Sequence, residues 1–208
     1  MLLLSWYSEK IRHTDYWEPG FITNVKGHYF MRKNIVFTLT GTDRTGLVEE
    51  ITKLLLDLGG NVETSRMARL GGEFAVLMLV SIPEPQLANL GKSTQILKNQ
   101  GFKVTTSRTE QTYAETHAGW LPYKIEVLGA DHEGIIHKIA QTLSKCGINI
   151  ESMDTVTTQA PNSGASLFSM TALIVVPPDL PGQNWEVALE EVGHQLHVDI
   201  NVSAVARQ

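Results

Sequence analysis

One stretch of this chain occurs twice. GTDRTGLVEEITKLLLDLGGNVET begins at Gly41 and GADHEGIIHKIAQTLSKCGINIES begins at Gly129, and the two align without a gap at an offset of 88. Gly41/Gly129, Asp43/Asp131, Gly46/Gly134, Ile51/Ile139, Leu55/Leu143, Gly59/Gly147, Asn61/Asn149 and Glu63/Glu151 are identical pairs. Whatever fold the chain adopts must therefore be built twice, from units of roughly 80 residues. Two copies make a tandem pair, because a solenoid needs about three repeats or more.

The match extends in both directions. IVFTLT (35–40) faces YKIEVL (123–128) at the same offset. FAVLMLVSIP (74–83) faces FSMTALIVVP (168–177), but at an offset of 94, so the second copy has gained six residues in between. They fall near QAPNSGAS (159–166), whose Pro, Asn, Ser and Gly mark a loop. The first copy has only LGGE (70–73), a short two-glycine turn.

Each copy reads as strand, helix, strand, strand, helix, strand. Leu47, Val48, Ile51, Leu54, Leu55 and Leu58 recur at helical spacing, as do Ile135, Ile136, Ile139, Leu143 and Cys146. Gly59 and Gly147 stand where a helix C-terminus favours a left-handed residue. A hairpin follows. The second helix is weaker, with Leu87, Leu90, Thr94 and Leu97 in one copy and Trp185, Ala188, Leu189, Val192 and Leu196 in the other. FKVTTS (102–107) and VDINVSAV (198–205) close the copies as strands.

The order β-α-β-β-α-β predicts an α+β chain of two tandem ferredoxin-like domains, each an antiparallel sheet with two helices on one face. The domains are expected at 35–110 and 123–206, with 111–122 as linker. The other sheet face stays partly uncovered in a unit this small, so the copies are expected to pair and cover each other. Residues 1–34 show no sustained period and mix both charge signs. They read as a flexible or loosely docked extension, a removable leader or the product of an upstream start.

Composition narrows the function. The net charge of −5 disfavours direct grip on nucleic-acid phosphates or on an anionic membrane surface. No apolar run approaches the ~20 residues of a membrane helix. Cys146 is the single cysteine, which excludes an internal disulfide and a multi-thiol metal site and points to a reducing, cytoplasmic setting. It lies on the apolar helix face and reads as a packed thiol.

The shared element is G-x-D-x-x-G opening a helix, with G-x-N just past its end. A P-loop needs a lysine after its last glycine, where Leu47 and Ile135 stand, and no Rossmann G-x-G-x-x-G is present. The central strands lack the aromatic and basic residues of an RNA-binding sheet. An acylphosphatase-like loop would need an arginine in the first turn; Arg44 is there, but His132 takes its place in the second copy. His132 and His137 are five apart and do not share a helix face, and His194 and His197 have no third histidine near them in sequence. No catalytic residue, metal or cofactor is expected.

Two readings of the motif remain open from the residues. Asp43 and Asp131 serve as helix N-caps and the glycines as turn formers. Alternatively, the same groups act jointly: free N–H groups at a glycine-lined helix start bind a carboxylate, and a nearby carboxylate and amide bind an ammonium group. Together these would hold the head of a free α-amino acid.

GTDRTGLVEEI…GGNVE and GADHEGIIHKI…GINIE resemble the signature of the ACT domain, a small regulatory module that binds amino acids. Thr45 and Glu133 stand where family members usually carry proline, which removes a rigid first helical residue. APNSGASLFSMTALIVVP followed by a helix and HVDINV is similar to the second ACT domain of the glycine cleavage system transcriptional repressor family. The resemblance implies regulation without catalysis, exerted through a protein partner and not by direct DNA binding. The partner would be a transcription factor or, alternatively, an amino-acid-metabolism enzyme, with the chain as homo-oligomer. It also implies ligand, of the glycine or serine class, at an interface between modules. Carried over residue by residue, the contacts would be Asp43, Gly46, Leu47 and Asn61 in the first copy and Asp131, Gly134, Ile135 and Asn149 in the second.

Overall fold

The computed structural model describes residues 21–23, 29–109, 117–161, 163–180 and 184–205. The chain divides into two compact units, Met1–Gln111 and Thr112–Gln208. The first contains β1 (Phe21–Thr23), β2 (Tyr29–Thr42), α1 (Leu47–Asp57), β3 (Asn61–Leu70), β4 (Glu73–Pro83), α2 (Leu87–Asn99) and β5 (Lys103–Thr109). The second contains β6 (Leu121–Ala130), α3 (Ile135–Lys145), β7 (Asn149–Gln159), β8 (Ser166–Val176), α4 (Asn184–Leu196) and β9 (Val198–Ala204).

Both sheets are antiparallel, in the order β3-β4-β2-β5 and β7-β8-β6-β9. This is the ferredoxin-like arrangement, made twice. In each, the period of two on the strands and of 3.6 on the helices meet in one core. Phe37, Leu39, Met78 and Val80 pack with Ile51, Leu55 and Leu97; Ile125, Met170 and Ile174 pack with Ile139, Leu143, Trp185 and Leu189. Truncating such a residue, Ile51 for example, costs about 2–5 kcal/mol. The outward positions remain open: Leu77 and Leu173 are exposed on their strands.

The strands reach further back than the apolar pattern suggests. β2 starts at Tyr29 and not at Ile35, and β1 pairs with its first three residues. The segment Arg32–Asn34 hid the strand because its side chains are polar, while its backbone pairs with Pro83, Ile82 and Ser81 of β4. β6 likewise starts at Leu121, inside the stretch expected to be linker. Residues 111–116 of that linker, together with residue 110 and most of the N-terminal extension, lie outside the described residues.

The copies match in detail. Both first helices end with the expected left-handed glycine: Gly59 and Gly60 donate back to Leu56 and Leu55, and Gly147 and Ile148 to Ser144 and Leu143. Each following strand has a bulge at the same place, between Val62 and Thr64 and between Ile150 and Ser152, so that Glu63 and Glu151 are the extra residues. The six added residues of the second copy lengthen the hairpin, whose loop is 160–165 instead of 71–72.

Candidate functional site

The two glycines of the motif do different work. Gly41 and Gly129 lie where the first strand passes the start of the last one. A Cβ on Gly41 would meet Phe102 Cδ1 at 2.5 Å, and one on Gly129 would meet Val198 Cγ1 at 2.6 Å. Gly46 and Gly134 adopt φ of 86° and 93° at the N-cap of α1 and α3. A side chain there would be strained, so glycine sets the angle at which the chain enters the helix.

The aspartates are not the caps. The cap residues are Gly46 and Gly134, and neither helix start receives a side-chain hydrogen bond. Asp43 and Asp131 stand three residues before the cap, out of register with the N2 and N3 groups that an N-cap side chain reaches. They tie the loop to the hairpin tip instead. The Asp43 N–H donates to Gly72 O at 3.2 Å, and the Asp131 N–H to Ser166 O at 2.9 Å. The Asp131 carboxylate also accepts from Ser166 Oγ at 3.3 Å, while that of Asp43 lies 3.6 Å from Arg69.

The result is a turn with N–H groups at its helix end and a carboxylate at its hairpin end. Its side chains contribute unequally. Leu47 and Ile135 are buried in the two cores, so only their backbones face the turn. Gly46 and Gly134 are exposed.

Asn61 and Asn149 belong to the opposite end of the same helix. Eleven helical residues separate them from the turn, a span of about 16 Å along the axis. A free amino acid as small as glycine or serine is too short to touch both ends within one domain. Around Asn61 the first domain has a polar cluster. Asn61 Nδ2 and Ser81 Oγ donate to Glu63 at 2.9 and 2.7 Å, and Arg32 donates to Gly59 O at 3.0 Å, to Ser81 Oγ at 3.1 Å and to Ser81 O. The hydrogen bonds from Ser81 and Asn61 hold the Glu63 carboxyl below its ordinary range, with Arg32 adding to them. Burial lowers the Arg32 guanidinium, and Glu63 opposes it.

Residues that the repeat seemed to demote turn out to be anchors. Arg44 forms an ion pair with Glu50, donates to Gln100 Oε1 at 2.8 Å and lies 5.5 Å from the Phe102 ring centre. Gln100 donates in turn to Glu50 at 2.9 Å. The Arg44 and Gln100 hydrogen bonds depress the Glu50 carboxyl. In the second copy His132 has the same task, its ring nitrogens lying 2.8 Å from Leu196 O and 3.1 Å from Glu133 O. Those carbonyls, Leu196 first, raise the imidazole above its usual range, because only the protonated ring can donate to both. Each loop is thus fastened to the end of its domain's second helix. An identity-based alignment misses this, because arginine and histidine reach the same place with different atoms. Cys146 is half-buried at the α3 C-cap. Among the described residues no three His, Cys, Asp or Glu side chains cluster as a metal site, and no helix is long and apolar enough to cross a membrane.

The family model of the ACT domain matches residues 33–108. The second unit repeats the same strand order, helix-start turn and bulge. This is a tandem ACT-domain protein. Over 171 residues it is 26% identical to the glycine cleavage system transcriptional repressor of Escherichia coli (strain K12), covering 82% of this chain and 90% of that one. A crystal structure of an unknown protein from Galdieria sulphuraria is 32% identical, with a TM-score of 0.71 over 84% of this chain and 99% of the other. A second crystal structure, of a candidate glycine cleavage system transcriptional repressor, superposes with a TM-score of 0.63 at 22% identity. It covers 85% of this chain and 99% of its own and shares the fold. The similarity runs across both ACT domains, and the family relationship is one of regulatory proteins.

Proposed function

We propose that this tandem ACT protein is a non-catalytic cytoplasmic regulator that binds small amino acids of the glycine or serine class and acts through a protein partner in transcriptional repression of glycine cleavage. The observation that carries this reading is the duplicated helix-start turn. In both copies helix N–H groups without a side-chain cap lie one loop away from an aspartate. Helix N-termini favour a carboxylate, and an aspartate favours an ammonium group. Because Asn61 and Asn149 lie at the far helix ends, a complete site takes the turn of one module and the asparagine-bearing strand start of another. The chain acts as a homo-oligomer on this reading, and the similarity to the Escherichia coli repressor supports the regulatory role.

Thermal unfolding with free amino acids tests it. Glycine or serine at about 100 times Kd stabilises by roughly 2.7 kcal/mol, a rise of about 5–10 °C for a chain of this size. Asp43→Ala removes the shift if the first turn binds, and Asp131→Ala if the second does. No shift with any amino acid overturns the sensing role. Affinity capture from source cells then identifies the partner: a transcription factor agrees with the proposal, and an amino-acid-metabolism enzyme replaces it with an accessory-subunit role.

A further inference from the structure

The two domains differ at the far end of the first helix, where one carries an arginine and the other a tryptophan. In the first domain the Arg32 guanidinium lies against the carbonyls of Gly59 and Ser81, beside Glu63 at the bulge. Strand register identifies its counterpart. Asn34 pairs with Ser81, and Pro122 pairs with Val175, at the same offsets of 88 and 94 that relate the two sequences. Two residues earlier, Trp120 holds the place of Arg32. Gly147, Asn149, Glu151 and Val175 hold those of Gly59, Asn61, Glu63 and Ser81.

An indole presents a ring and one N–H donor and cannot reproduce the fork of a guanidinium. At this place the second domain has a shallow, solvent-open cavity of about 470 Å³, with Trp120, His117, Ile150 and the exposed Ser144, Gly147 and Asn149 among its walls. The Trp120 and His117 rings meet edge to face at 4.5 Å. Of the walls, Gly147 comes from the position whose carbonyl holds Arg32 in the first domain, and Asn149 from that of Asn61, which donates to Glu63.

We infer that this cavity in the second domain binds a guanidinium group brought by a ligand, the group that the first domain supplies from its own chain as Arg32. Three features select that chemistry. A flat cation stacks on a tryptophan face. The C-terminal end of α3 carries negative partial charge and disfavours an anion. The Ser144 hydroxyl, the Asn149 amide oxygen and the Gly147 carbonyl are acceptors at exposed positions of the wall, and at the matching place in the first domain the Gly59 carbonyl accepts from Arg32. The volume lies within the range of small-molecule sites and holds a guanidinium with a short aliphatic stem. The inference is independent of the amino-acid site at the helix starts: glycine and serine can fail to bind while this cavity binds its cation.

The test is an amide and indole NMR titration of the full chain with three probes: agmatine, a blocked Gly-Arg-Gly peptide and the same peptide with citrulline, the uncharged isostere, in place of arginine. Agmatine or the arginine peptide should give saturable shifts at the Trp120 indole, Gly147 and Asn149, and none at Gly59 or Asn61. The citrulline peptide should bind at least about tenfold more weakly than the arginine peptide, the loss expected for a charge-assisted hydrogen bond. Tighter binding of agmatine assigns the group to a free small molecule, and tighter binding of the arginine peptide assigns it to a protein side chain. Trp120→Arg should fill the cavity as the first domain does and abolish binding with the rest of the spectrum unchanged, while Trp120→Phe keeps a weaker site. The inference is overturned by equal binding of the citrulline and arginine peptides, by undiminished agmatine binding to the Trp120→Arg variant, or by no saturable shift at Trp120 with either guanidinium probe.

Discussion

At the helix start the first domain fastens its loop with Arg44, Glu50 and Gln100, and the second with His132 on the Leu196 carbonyl. At the helix end the first domain carries Arg32 and Glu63, and the second a cavity beside Trp120. Between those ends the copies are alike: same strand order, same bulge, same glycine exit from the first helix. The glycines, the core positions and the acids Asp43/Asp131 and Glu63/Glu151 are shared, whereas Arg32 and Arg44 give way to Trp120 and His132. The duplication therefore preserved a scaffold and left each domain its own complement of cations at the two ends of its first helix.

The largest effect should come from forcing the shared scaffold. Alanine at Gly129 would press on Val198, including its Cα at 3.0 Å, whereas alanine at Gly41 meets only the ring of Phe102. A backbone atom yields less readily than a ring edge. Gly129→Ala should destabilise its domain by about 2–3 kcal/mol and Gly41→Ala by about 1–2 kcal/mol, within the range for overpacking. Urea unfolding with domain-resolved hydrogen exchange measures both. Equal costs would show that the two crossings are equally tolerant.

The cluster at the helix end should come next. Arg32→Met removes the donors to Gly59 and Ser81 and leaves the first domain weaker by about 1 kcal/mol, a figure kept small by solvent screening of a mostly exposed pair. A double-mutant cycle with Glu63→Gln sharpens the comparison. A coupling energy near zero would mean that Arg32 acts through the carbonyls alone.

The smallest effect is a difference in sign with pH. Glu50 and Glu63 are depressed, so their contribution to the first domain is present above the unfolded carboxyl value, about 4.3, and fades as pH falls through the folded one. His132 is raised, so its contribution to the second domain is full below the unfolded imidazole value, about 6.5, and is lost as pH rises through the folded one. Acid should weaken the first domain and, through the Glu126 carboxyl that Lys124 depresses, the second as well, whereas mild alkali should weaken the second alone. Glu50→Gln with Glu63→Gln should flatten the acid slope of the first domain, and His132→Gln the alkaline one of the second. Slopes that survive these changes would locate the titrating groups elsewhere.

Much of the fold is legible in the sequence because the repeat reports it twice. Ile51 and Ile139, or Leu55 and Leu143, mark the same buried face, and the glycines mark both helix boundaries. The start of β2 is not legible, since Arg32, Lys33 and Asn34 are held by backbone pairing that leaves no apolar period. At the candidate site the glycines are readable from composition alone. Of the two readings open for the aspartates, the cap reading fails, because left-handed Gly46 and Gly134 push the helix start three residues on. The common task of Arg44 and His132 depends on how far a side chain reaches across the fold to Gln100 or Leu196, which no local pattern encodes.

Trp185, at 2% exposure in the second core, lies 5.2 Å from the Tyr123 ring in an edge-to-face contact. The described residues of the first domain contain no tryptophan. The near-twin domains are therefore optically unequal. With Trp6 and Trp17 replaced by phenylalanine, all indole emission comes from the second domain: Trp185 reports its core, Trp120 reports its cavity, and the first domain stays dark.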